Sequence, residues 1–254
     1  MKKFNLITLC TLSLVIFLNN SCQKGVDPIK TGTVKITFTN TVKGTPLVLN
    51  TSVYTNPFAE TYTVSKFKYY ISNIGLNSSY DFYNENDSYH LVDAVNAASR
   101  TFSFTAKANA YFSLALTIGV DSLRNVSGAQ TGALDPTNDM FWTWSTGYIM
   151  AKIEGNSPFS TQVNNKVEYH IGGFMGSNNV LQKLTINIPV GKNLNIREGK
   201  TSEIFISADL DKWWQNPNNL KIAVNPVCTT PGTLAKQISD NYANMFTITD
   251  VINY

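Results

Sequence analysis

Alternation of apolar and polar residues at a spacing of two is what most constrains the fold of this chain. Val34, Ile36 and Phe38 alternate with Lys35, Thr37 and Thr39; Leu114, Leu116 and Ile118 with Ala115 and Thr117; Leu184, Ile186 and Ile188 with Thr185 and Asn187. Successive side chains of a strand point to opposite faces, so each run buries one face and solvates the other. Further strand candidates are 47–54, 62–76, 88–93, 101–106, 148–154, 166–172 and 203–209. Short strands separated by Gly, Asn, Pro and Asp predict an all-β fold, an antiparallel two-sheet β-sandwich with long loops. A short C-terminal helix is predicted after Pro231, where Leu234, Ala235, Ile238, Tyr242, Met245 and Phe246 fall at helical spacing. Charged residues make up only 15% and apolar residues 43%, which excludes a disordered chain and a long-helix protein.

The N-terminus reads as a targeting segment. Lys2 and Lys3 precede an apolar run from Leu6 to Leu18 that is too short to span a bilayer, and the run ends in Asn19-Asn20-Ser21-Cys22. A small residue before cysteine resembles a bacterial lipoprotein cleavage site. Residues 1–22 are then the lipoprotein signal peptide, Cys22 the acylated N-terminus, 23–31 a tether and 32–254 the domain; plain secretion is the alternative. Two of the 20 basic residues lie in the signal, leaving 18 against 17 acidic ones. With no basic run, neither nucleic acid nor anionic lipid is expected as a partner, and membrane contact is expected only through the lipid anchor. Cys228 alone remains in the domain, so no internal disulfide can form there, and a small buried hydrophobe is the simplest reading.

Chemistry-bearing motifs are few. C-x-x-C, H-E-x-x-H, a P-loop and G-x-S-x-G are all missing, and two histidines cannot make a three-histidine zinc site. His90 lies in "SYHLVDA" and His170 in "VEYHIGGF". Either ring alone reads more simply as a hydrogen-bonding strand residue than as a ligand. His170 is the stronger metal candidate because Gly172 and Gly173 follow it, and strand glycines mark bulges or close approaches. Imidazole with soft Met or aromatic neighbours would suit copper, and Met140, Met150 and Met175 are available, each also readable as packing. Asp81, Glu85 and Asp87 form an acidic turn without EF-hand spacing, simplest as a solvated hairpin tip. Trp213 and Trp214, if adjacent on a strand, would present one indole outward to a glycan. The polar stretch 119–140 is a long connection of the kind that carries function, and it leads directly into Trp142 and Trp144.

Six blocks together resemble a known family: "KFKYYISNIGL" (66–76), "YHLVDA" (89–94), "LTIGVDSLRNVSGAQTGALDP" (116–136), "MFWTWSTGYIMAKIEG" (140–155), "YHIGGF" (169–174) and "ISDNYANMF" (238–246). The chain is similar to MbnP-like proteins, a family named for a periplasmic copper-binding protein encoded with methanobactin genes, and to its lipoprotein branch in Bacteroidota. The resemblance implies a secreted β-sandwich binding one copper ion through histidines. It also implies a nearby tryptophan oxidised to kynurenine by a di-haem cytochrome c peroxidase-like partner. Carried over by position, the ligands are His170 and then His90. The near-site or modifiable residues are Trp142 and Trp144, with Met140 and Tyr148 beside them. The tryptophan run has no histidine next to it, which leaves the second ligand open.

The expectation is therefore an exported cell-envelope lipoprotein, with the anchor's leaflet and face open, that holds copper for acquisition or transfer. No catalytic residues are expected, so the protein is not expected to be an enzyme. The alternative is a non-metal surface lipoprotein that binds a glycan or protein partner through exposed aromatics, Trp213 and Trp214 foremost.

Overall fold

A computed structural model describes residues 28–85, 87–128, 130–144 and 147–254. The expected signal peptide (1–22) with Cys22, and residues 23–27 of the expected tether, lie outside the described residues. The rest forms the expected sandwich of two principal sheets. In the smaller, Thr31–Val42 lies between Thr201–Asp209 on one side and Thr101–Lys107 on the other, with Phe246–Asn253 beyond Thr201–Asp209. In the larger, the order is Gln182–Asn187, Ser113–Ile118, Thr61–Asn77, Gly147–Asn156, Lys166–Gly172 and Val227–Cys228.

Alternation decides which side chains meet between the sheets. Val34, Ile36 and Phe38 of one sheet and Phe67, Tyr69 and Ile71 of the other are all buried. Phe38, Tyr69 and Phe246 form a mutual aromatic cluster, with ring centroids 5.4 to 6.0 Å apart. The Tyr69 hydroxyl donates across the core to Asn40 Oδ1 at 2.9 Å, so the polar end of the ring is satisfied in the interior.

Three elements differ from expectation. Most ladders are antiparallel, but Thr31–Val42 pairs Thr201–Asp209 in parallel over nine residues, and Val227–Cys228 pairs Lys166–Gly172 in parallel. Alternation fixes which face is buried but carries nothing about strand direction, which the long connections set. The 47–54 segment is turn and irregular chain between the two-residue strands Thr45–Pro46 and Tyr54–Thr55. The C-terminal helix runs Thr233–Tyr242 and packs Tyr242 on Trp213, ring centroids 5.0 Å apart. Phe246, at helical spacing from Tyr242, instead opens the eight-residue strand Phe246–Asn253.

The 119–140 connection is not structureless. Asp121 caps a helical turn, Ser122–Asn125, by accepting from the Arg124 amide, and Asp135 caps a 3-10 turn, Pro136–Asn138, through the Thr137 amide. The connection lies on the outer face of the larger sheet. Tyr70 and Tyr148, both buried, donate to the Ala133 and Leu134 carbonyls at 3.0 and 2.7 Å.

Candidate functional site

The outer face of the larger sheet carries a charged lattice that strand register builds. Lys152 stands opposite His170 on one side and Lys68 on the other, and Lys68 stands opposite Asp93. One step along, Glu154 stands between Glu168 and Lys66. Directly paired residues share a face, so Lys66, Lys68, Lys152, Glu154, Glu168 and His170 all project outward. His170 Nε2 lies 3.0 Å from Glu154 Oε1 and 3.7 Å from Glu168 Oε1. One donor atom from each of these three residues falls within 4.8 Å of the others.

Two lysines and one aspartate frame that triangle. Lys66 Nζ lies 3.1 Å from both Glu154 Oε2 and Asp139 Oδ2. Lys152 Nζ lies 3.0 Å from Asp139 Oδ2 and also donates to the Asp139 carbonyl. Asp139 takes a left-handed conformation (φ 62°) at the end of its 3-10 turn, and Lys68 donates to the Asn138 carbonyl at 3.1 Å. This stretch of the long connection therefore roofs Lys152, which is only 1% exposed.

The electrostatics follow from these contacts. The hydrogen bond with His170 holds the Glu154 carboxyl down to about 2; burial opposes this, and Lys66 and Lys152 reinforce it. Burial would raise Asp139, but Lys152 and Lys66 outweigh it and its carboxyl lies below the usual range. Burial lowers Lys152, opposed by Asp139. Burial also pulls on Lys66, yet Asp139 and Glu154 leave it raised. Because the ionised Glu154 can only accept, the His170 Nε2 proton points at it.

The tryptophan pair adjoins this lattice. Gly172 follows His170 by two positions, so both face outward, and Trp142 occupies the space over Gly172: a Cβ there would sit 2.4 Å from the indole Cζ3. The neighbouring strand is bulged between Ile149 and Ala151, opposite Gly172 and Ile171. Trp142 is 7% exposed, Trp144 is 62% exposed, and their rings lie 5.3 Å apart. The strand ends at Trp142 and the chain turns, yet the two indoles stay together. Met140 is fully buried, and Tyr148 packs edge-on to Phe141 and Tyr70.

Other expected site residues do not join. His90 is opposite Ile71 on the inner face, where it stacks on Phe102 of the other sheet at 3.6 Å and contacts Glu85 at 3.4 Å. It lies three strand spacings from His170, roughly 14 Å, on the opposite face of the sheet, so the two histidines cannot share an ion. Trp213 and Trp214 are each 2% exposed. They sit at a 3-10 turn (Leu210–Trp213) rather than on a strand, and Trp214 Nε1 donates to the Tyr62 hydroxyl at 3.1 Å. Neither can offer a face to a sugar, which removes the glycan surface built on them. Asp81, Glu85 and Asp87 disperse to Lys107, Ser88 and Arg124 respectively. Cys228 is buried and its thiol is pushed up to about 11 by that burial, so it behaves as a small apolar residue. Met150 is fully buried and Met175 is exposed.

Sequence reasoning missed Glu154, Glu168, Lys66, Lys152 and Asp139. A signal existed: Lys166, Glu168 and His170 are spaced by two, as are Lys152 and Glu154, so each set shares a strand face. The donor set of one imidazole nitrogen and two carboxylate oxygens fits a divalent ion that accepts nitrogen and oxygen, copper(II) among them. It does not fit copper(I), which favours thiolate and thioether.

The structure is similar to that of MbnP from Methylosinus trichosporium, with 15% identity over 70% of this chain and 76% of that chain and a TM-score of 0.47. No curated protein matches the chain. The family model for MbnP matches residues 31–230, spanning every residue of the charged lattice and both indoles above it. The chain belongs to the MbnP family.

Proposed function

We propose that this is an exported, lipid-anchored envelope protein whose Glu154–Glu168–His170 cluster receives one copper(II) ion for acquisition or transfer, without catalysis of its own. The observation that carries the reading is the convergence of those three donors within 4.8 Å, on the sheet face that also bears Trp142 over Gly172. An incoming cation would take the Nε2 position that now faces Glu154, with the single imidazole proton carried on Nδ1. Trp144 is the indole open to an oxidising di-haem partner; conversion to kynurenine would appear in the intact mass as one oxygen gained and one carbon lost.

Titration of the full chain with copper(II), followed by metal analysis and electron paramagnetic resonance, tests the reading. One ion per chain with a single imidazole nitrogen is expected. His170→Ala should abolish binding and His90→Ala should leave it unchanged. Lys66→Met, which removes a competing ammonium, should tighten binding by about tenfold. Failure of the wild type to retain copper, or retention undiminished in His170→Ala, would overturn it.

A further inference from the structure

One end of the sandwich carries aromatic and aliphatic side chains that no other described residue covers. Two turns, Ser78–Asp81 and Pro189–Lys192, meet there with the crossing strand around Asn109–Tyr111. They are stitched by the Phe112 amide to Asn77 (2.9 Å) and the Ile188 amide to Phe112 (2.8 Å). Tyr80 and Val190 at the tips are fully exposed, and Phe82 and Phe112 are half exposed. Tyr254 joins them through the hydrogen bond from its amide to the Thr201 carbonyl, and Thr201 lies beside Thr33. Among the described residues six aromatic rings are exposed, and four of them (Tyr80, Phe82, Phe112 and Tyr254) are at this end. A concavity of about 470 Å³ lies between the turns, lined by Ser79, Phe112 and Val190 among others.

The chain enters the domain at the same end. The Lys30 carbonyl accepts the Ala108 amide at 2.8 Å, and Thr31 opens the first strand opposite Lys107. Six residue steps separate Cys22 from Pro28, at most about 20 Å of extended chain. An acylated Cys22 would therefore hold these turns close to the lipid. Three lysines of this end pair with carboxylates, Lys107 with Asp81, Lys192 with Asp250 and Lys30 with Glu198, at 2.8, 2.7 and 3.2 Å. Arg197 donates to the Tyr254 carbonyl, and Lys200 is exposed. Protruding Tyr, Phe and Val suit the headgroup layer of a bilayer, where amphipathic rings concentrate and exposed basic side chains reach the phosphates.

We propose that this end of the sandwich rests on the membrane, with Tyr80, Phe112 and Val190 in the interfacial layer. The proposal rests on the lipid-anchor reading above and adds which face of the domain the anchor presents to lipid. It sets the charged lattice near Lys68 nine residues up the Thr61–Asn77 strand from the membrane end, roughly 30 Å from the bilayer.

The test uses the full, processed chain in phosphatidylcholine vesicles, with an environment-sensitive fluorophore on Val190→Cys or on Val163→Cys. Val163 is exposed at the opposite end, beside Asn156. Cys228 is buried and acylation blocks Cys22, so labelling is confined to the introduced thiol. Spin-labelled lipid should quench the probe at 190 several-fold more strongly than the probe at 163, and Cys22→Ser should abolish flotation with the vesicles. A chain that floats but shows equal quenching at both positions overturns the orientation alone. Shielding at 190 that appears in native membranes but not in pure lipid points to a protein partner and overturns it too. A wild type that fails to float overturns the anchor and the orientation together.

Discussion

Glu154 is the residue on which the outer lattice turns, because it accepts from His170 and Lys66 together. Its carboxyl is held at about 2, against an ordinary 4.5. A depressed carboxyl contributes stability that is fully present above the unfolded value and is lost as pH falls toward the folded one. Denaturant unfolding should therefore show stability declining between about pH 4.5 and 2, and Glu154→Gln should remove much of that decline while lowering stability at pH 7. An unaltered acid limb in Glu154→Gln would show that the lattice is not coupled to folding. The histidine of this pair was legible from its strand and its glycines; the carboxylate was not, because its partner is 16 positions away.

At the scale of elements, the 119–140 connection acts as a roof whose first turn is pinned by Asn125. Asn125, 2% exposed, donates to the Asp121 carbonyl at 2.9 Å and accepts from the Tyr148 amide at 2.9 Å. Asn125→Ala leaves that amide unpaired in the interior, which should cost about 1–3 kcal/mol. Hydrogen exchange should speed up across 119–140 and leave the Thr31–Val42 and Thr201–Asp209 ladder protected; uniform acceleration would mean the roof is not a separate unit. Sequence pattern identified this connection as unusual by its length and polarity. It could not show the turns within it, since each depends on a local cap whose register the covered sheet selects.

For the molecule as a whole, the two sheets are joined through Phe38, Tyr69 and Phe246, which come from three distant parts of the chain. Phe38 is 2% exposed. Phe38→Ala should cost about 3–5 kcal/mol through lost burial and the cavity it leaves. If the sheets form one core, denaturation should remain a single transition with an unchanged slope on denaturant. A second transition would show that the sheets unfold separately.

Local alternation determined the strands at Val34–Phe38, Leu114–Ile118 and Leu184–Ile186, and helical spacing after Pro231 determined the helix. These signals suffice at those positions because a period of two or of 3.6 is written in neighbouring residues. Tertiary structure alone decided the rest. Parallel pairing of the first strand with Thr201–Asp209, burial of Trp213 and Trp214, and placement of His90 on the inner face all depend on contacts across long stretches of chain. The same holds for Trp142 and Trp144. Their spacing of two predicts a shared face if the run is a strand, but the strand ends at Trp142: Gly172 opens a berth for Trp142 beside the histidine while the chain turns Trp144 into solvent.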